Sequence, residues 1–294
     1  MDIKKIFIVG GTGMLGFPVV KKLMQDGYEV DILTRNPDHA RNKFGAEYSF
    51  IAGDVTDFNS VQTLLKKKNY DGIHINLSAM TYRDIKKIEV EGTSNLVKAA
   101  TESSIKKITI ISGMGVQEKN SWSRFVRLKL DTEKIITSSG IPYTIFNCTH
   151  FMESIKRYIR NGKISLMGRP PHVWSWIAAA DYAQMVSRAY SIEESNNKII
   201  SVMGPEKLTM KQAFQKYIDV VDPSLKITAV SLSMLKIIAY ITLNDMLKYV
   251  VDLMTYFEKT AEHPKEGTLL DILGTPSTTF EEWLAMEKKS LETK

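Results

Sequence analysis

Short apolar runs alternate with amphipathic stretches through the first half of the chain. Lys5-Ile6-Phe7-Ile8-Val9 is a β-branched run that reads as a strand. Apolar residues then recur at Leu15, Val19, Val20, Leu23 and Met24, a helical spacing, and Gly27 stops that helix. The same alternation predicts further strands at 30–34, 48–52, 73–77, 108–111 and 143–146. Helices are marked between them by Pro37, by Val61, Leu64 and Leu65, by Ile85, Ile88, Leu96, Val97, Ala99 and Ala100, and by Phe125, Leu128, Ile135 and Ile136. Six such repeats imply a parallel sheet with helices on both faces, a Rossmann-type doubly wound α/β fold. The apolar strands suit burial on both sides.

The second half is less regular. Helical spacing covers 181–190, 209–220 and 234–257, a late strand covers 199–203, and a charged amphipathic helix covers 281–294. Residues 1–150 are therefore expected to form the Rossmann-type domain, to which 177–203 returns. Residues 151–176 and 204–294 are expected to form a smaller, mostly helical cap.

The loop between the first strand and first helix carries the clearest chemistry. Gly10, Gly13 and Gly16 are spaced three apart. The first permits a tight turn, the second lets the backbone approach a pyrophosphate, and the third lets the helix pack closely on the strand. Free N–H groups at the helix start then face the phosphates. Gly10, Thr12, Gly13, Met14 and Leu15 are the expected phosphate-binding set. Thr34-Arg35-Asn36 closes the second strand where NAD binders usually carry a carboxylate, and Arg35 suits a 2′-phosphate instead, so NADP(H) is the expected cofactor. Asp54 and Val55 follow the third strand, where a carboxylate can take the adenine amino group or cap the next helix. Leu77, Ser78 and Ala79 follow the fourth and leave room for the adenosine ribose.

Composition narrows the class. The 294 residues hold 39 Lys+Arg against 33 Asp+Glu, a formal charge of +6, with the basic residues spread along the chain. Nucleic acid is not an expected partner. A single cysteine, Cys148, excludes an intrachain disulfide, and the histidines lack ligand spacing, so no metal is expected. The start has no signal-like apolar region. Residues 235–257, the nearest thing to a span, are interrupted by Lys236, Asn244, Asp245, Lys248 and Asp252. A cytoplasmic protein without an integral membrane span is expected.

These pieces together resemble the short-chain dehydrogenase/reductase superfamily, in its atypical, NmrA-like NAD(P)-binding branch. The glycine loop, Thr34-Arg35, Gly53-Asp54-Val55, Glu91-Gly92-Thr93-Ser94-Asn95-Leu96, Lys129-Leu130-Asp131-Thr132-Glu133 and Phe280-Glu281-Glu282-Trp283-Leu284 carry the resemblance across nearly the whole chain. It implies a Ser, Tyr and Lys set: Ser112 matches the serine and Lys129 the lysine. The tyrosine, expected four residues before Lys129, is Phe125, which has no proton to give. Glu89 stands where many members carry Asn, and Asn147-Cys148 replaces a common Arg-Pro. His150, just past the sixth strand, and Tyr82, past the fourth, are the substitute proton donors. Residues 170–176 are expected near the pocket mouth, and Met-rich 234–257 as cap core, lid, dimer surface or membrane-surface helix. The leading expectation is an NADPH-dependent oxidoreductase for a small apolar acceptor such as a quinone or enone. The second is a non-catalytic NADP(H) sensor with a regulatory protein partner. A third, resting on 235–257 alone, is a membrane-associated scaffold. Oligomeric state stays open.

Overall fold

The computed structural model describes residues 2–264 and 270–292. The body alternates strands β1 (Lys5–Val9), β2 (Glu29–Thr34), β3 (Ser49–Ala52), β4 (Gly72–Ile75), β5 (Lys107–Gly113) and β6 (Tyr143–Cys148) with helices. These are α1 (Gly16–Gln25), α2 (Pro37–Phe44), α3 (Phe58–Lys68), α4 (Tyr82–Asp84), α5 (Gly92–Thr101) and α6 (Arg124–Thr137). The chain then makes β7 (Ile159–Arg160), β8 (Lys163–Met167) and β9 (Trp174–Trp176), returns through α7 (Ala179–Ser191), and adds β10 (Lys198–Val202). Seven strands form one parallel sheet in the order β10-β6-β5-β4-β1-β2-β3. The order reverses between β1 and β4, and ligands of such sheets bind in the crevice beyond the strand ends at that point.

The period-two pleat explains the two cores. Ile6 and Ile8 of β1 face α1 and α7, packing with Val19, Val20, Leu23, Tyr182 and Val186. Phe7 and Val9 face the other way, toward Leu65 of α3, Leu96 and Val97 of α5, and Ile136 of α6. Two buried charged groups in these layers are paired. Asp31 accepts from Tyr70 Oη at 2.6 Å and Ser49 Oγ at 2.5 Å. The Lys107 ammonium donates to Ala189 O at 2.5 Å and Ser195 Oγ at 2.7 Å, closing the C-terminus of α7 as a cation should.

The remaining chain forms β11 (Glu206–Leu208), α8 (Met210–Val220), β12 (Lys226–Val230), α9 (Leu232–Ile241), α10 (Asp245–Lys259), α11 (Leu270–Leu273) and α12 (Phe280–Glu292). The expected C-terminal helix to 294 runs past Glu292 into residues outside those described. Helices dominate this part, but it also carries two small sheets, β12-β8-β7 and β11-β9, around a core of Trp174, Trp176, Phe214, Phe280 and Trp283.

Two expected helices are subdivided. The single helix at 234–257 is two, α9 and α10. Leu243 takes a left-handed φ of 50°, and the Asn244 side chain accepts from Leu247 N at 3.0 Å, capping a new helix. The apolar stripe continues across this break, which is why periodicity conceals it. The helix through 85–100 opens with α4 and a π-helical turn, Ile85–Glu91, before α5. No helix among the described residues is long and apolar enough to cross a membrane.

Candidate active site

The glycine loop sits at the switch point. Gly10 has φ +79°, and a Cβ there would lie 2.1 Å from Asn76 O; a Cβ on Gly16 would lie 2.2 Å from Gly10 O. Only glycine lets β1, the β4 end and α1 approach this closely. Helix α1 begins at its N-cap Leu15 with no side-chain cap and no acidic residue in its first turn. Phe17 N already donates to Gly13 O at 3.0 Å and Pro18 has no N–H, so the amides of Leu15 and Gly16 are those left for an anionic ligand.

Two hollows meet here, with Gly13, Asn76, Leu77 and Ser78 lining both. The first, of about 630 Å³, runs past Gly10, Thr12, Arg35, Asp54 and Val55. Lys43 of α2 and Lys87 of the π turn also line it, cations that sequence reasoning did not single out, with His39 of α2 beside them. Asp54 accepts from Thr56 N and Oγ1, both at 2.9 Å. Burial would raise its pKa, but those bonds and the Arg35 and Lys87 charges hold it below the usual carboxylate range. Helix α3 is capped by Asp57, not Asp54, which leaves Asp54 at the hollow. Asn76 Nδ2, buried between the hollows, has no partner among the described residues. An unsatisfied donor there, an uncapped helix start and a cationic far end fit the phosphates and ribose of a dinucleotide.

The second hollow, about 350 Å³, is mainly apolar and reaches under α10. Met14, Leu15, Ser112, Phe125, Lys129 and His150 line it, with Tyr249, Met254, Tyr256 and Phe257 of α10 opposite. Lys129 Nζ lies 2.6 Å from Glu89 Oε2, and Glu89 Oε1 accepts from Ala79 N at 2.8 Å. The π turn carries Glu89 here, with a side chain 5% exposed. Ser112 Oγ donates to Glu133 at 2.6 Å, so its hydrogen goes to α6.

The two substitute donors are differently placed. Tyr82 Oη donates to Asp252 Oδ2 at 2.6 Å, and Tyr82 does not line the hollow. Asp252 also accepts from Ser123 Oγ at 2.9 Å and Phe125 N at 3.0 Å, fastening α10 to the start of α6. His150 does line the hollow. Its ring is 4.4 Å from Phe257 and 4.6 Å from Trp174 (centroids), and its Nε2 has no partner among the described residues. Burial lowers its pKa to about 3, so it is neutral at physiological pH. Cys148 lines the same wall, its thiol pKa raised by burial.

His74, buried beneath the sheet, is also lowered to about 3 by burial. Both folded values lie below the ordinary 6.5. Below pH 6.5 the unfolded chain takes up protons that the folded chain refuses until near pH 3. Stability is therefore full above pH 6.5 and declines as pH falls. Each histidine should cost roughly 2 kcal/mol at pH 5. The expected thermal midpoint drops roughly 6 °C between pH 7.5 and 5, and His150→Asn should halve that drop. A flat midpoint over this window would mean the rings protonate in place.

Sequence reasoning did not find Tyr249. It is 7% exposed and lines the hollow, with its ring 6.2 Å from Phe125 and edge-on. Its hydroxyl makes no hydrogen bond among the described residues. Burial and then the Glu89 charge push its pKa well above the usual range, so it keeps its proton. The missed signal lies across the fold: a tyrosine from the cap facing the phenylalanine of α6.

The NmrA-like family matches residues 2–284 of the chain. The photosystem II assembly factor Ycf39 of Cyanophora paradoxa is 25% identical over 248 residues, 79% of this chain and 73% of that protein. Among solved structures, the triphenylmethane reductase of a Citrobacter species aligns with a TM-score of 0.74 at 16% identity, covering 97% of this chain and 99% of that one. The NADPH-dependent quinone oxidoreductase of Escherichia coli, complexed with NADPH, aligns with a TM-score of 0.70 at 20% identity, covering 96% and 99%.

Proposed function

The chain belongs to the NmrA-like family, and from that premise we propose that it is an NADPH-dependent reductase for a small, largely apolar acceptor such as a quinone or enone. The carrying observation is the shared wall at Gly13 and Asn76. It lets one extended ligand reach from the Arg35 end into the apolar hollow that holds Lys129. When bound, the reduced nicotinamide supplies hydride.

The protein's residues do the rest. The α1 amides and Asn76 bind and orient the phosphates. Arg35, with His39 and Lys43, reads a 2′-phosphate. The aromatic cap excludes water, which strengthens every charge interaction inside. The Lys129 ammonium steadies negative charge developing on the acceptor oxygen. Tyr249 Oη holds the proton that this oxygen takes up, in place of the hydroxyl absent at Phe125, and solvent restores the phenol.

The reductases among the relatives and neighbours support this reading, including a divinyl chlorophyllide a 8-vinyl-reductase of Arabidopsis thaliana. The test is calorimetric titration with NADPH and NADH, followed by quinone-dependent oxidation of NADPH. Arg35→Ala should weaken NADPH binding about tenfold or more and leave NADH binding unchanged. Equal loss for both would remove Arg35 from phosphate recognition. The second reading, a dinucleotide-responsive assembly or regulatory protein, is favoured by Phe125 and by the Ycf39 relative. Tight NADPH binding without turnover on any quinone or enone would bring it forward.

A further inference from the structure

Helix α9 is apolar nearly all round yet lies largely in solvent. Ile237 is 60% exposed, Tyr240 79%, Ile241 73%, and Leu243 in the turn after it 73%. Met234, Ile238 and Met246 extend the patch. A helix of this composition is normally buried, and a contiguous apolar surface of this kind marks a binding face.

The charges around it choose the occupant. No Asp or Glu occurs between Asp222 and Asp245. The three acidic residues of α10 each accept a hydrogen bond from another element. Asp245 accepts from Arg83 N at 3.1 Å, Asp252 from Tyr82, Ser123 and Phe125, and Glu258 from Arg169 N at 2.5 Å. Lys236 is exposed on α9, and Arg83 and Lys86 are exposed on the turn that Asp245 bonds, with Asp84 and Asp245 half-buried among them. An apolar tip whose margin carries more cations than carboxylates is complementary to an anionic lipid surface. A second copy of this cationic face has no such charge match.

We propose that the α9–α10 hairpin seats this protein on anionic bilayers, with α9 lying in the headgroup layer and Tyr240 at its boundary. Helix α10 lines the apolar hollow on its inner side, so a seated molecule has that hollow close to the lipid. The seating depends only on the outer face and stands whether or not the protein is a reductase.

Vesicle flotation of the full chain, without cofactor, tests it. Vesicles of phosphatidylcholine mixed with phosphatidylglycerol should carry at least about tenfold more protein to the top than phosphatidylcholine alone, and salt should weaken this. The double variant Ile237→Asp, Ile241→Asp changes only exposed positions and should stay at the bottom. Lys236→Glu should lower recovery severalfold. Wild type remaining at the bottom overturns the proposal. So does equal flotation with both vesicle types. A concentration-dependent dimer in sedimentation velocity, broken by the double variant and without flotation, assigns the face to a second copy instead and also overturns it.

Discussion

Lys129→Ala is expected to cost the protein both turnover and stability. Glu89, with a side chain 5% exposed, would keep its hydrogen bond from Ala79 N but lose its cation. Breaking one side of a buried pair costs about 3–5 kcal/mol, and the retained bond places this case near 3. The thermal midpoint should fall by roughly 5 °C. Quinone-dependent NADPH oxidation should fall about a hundredfold or more, because the charge that steadies the acceptor oxygen is gone. The double variant Lys129→Ala, Glu89→Gln separates the two effects. Removing the stranded carboxylate should restore most of the midpoint and none of the turnover. Recovery of both would show that Lys129 serves only to neutralise Glu89.

Tyr249→Phe should have the opposite signature, a large kinetic loss with little change in stability. The hydroxyl makes no hydrogen bond among the described residues, so its removal should shift stability by less than about 1 kcal/mol. Turnover on a quinone should drop about a hundredfold, the usual scale for a positioned proton donor. A cationic dye that accepts hydride without needing a proton should be reduced at nearly the wild-type rate. Adding Phe125→Tyr to Tyr249→Phe should return part of the quinone activity from the other side of the hollow. Equal loss for dye and quinone would show that Tyr249 shapes the hollow and donates nothing.

Local signals account for what could be read from the chain. The β-branched runs, the glycine spacing and the stop at Gly27 are contiguous patterns, and each maps directly onto a strand, turn or helix. The ends moved by a residue or two, as in β3 at Ser49–Ala52 and β4 at Gly72–Ile75. What stayed hidden joins distant positions. Glu89 reaches Lys129 only because the π turn rotates it inward, and no sequence pattern announces such a turn. Tyr249 meets Phe125 only because Asp252 pins α10 to α6. The break at Leu243 had one local mark, the capping Asn244, and the apolar stripe running through it carried more weight. Ser112 and Tyr82 illustrate the converse: the residue type fits proton chemistry, but the fold commits each hydroxyl to a carboxylate.

The placement of β10 bears on how the chain comes into being. It is the edge strand beside β6, yet it is made only after β7, β8, β9 and α7. While synthesis is between residues 148 and 198, β6 presents an unpaired edge and Ile6 and Ile8 lack the cover of α7. Open edges and bare apolar faces are where nascent chains pair wrongly. The exposure of that edge and that face therefore lasts as long as the first cap excursion takes to make. A ribosome that pauses there prolongs that exposure, which ends once residues 198–202 have emerged and paired with β6.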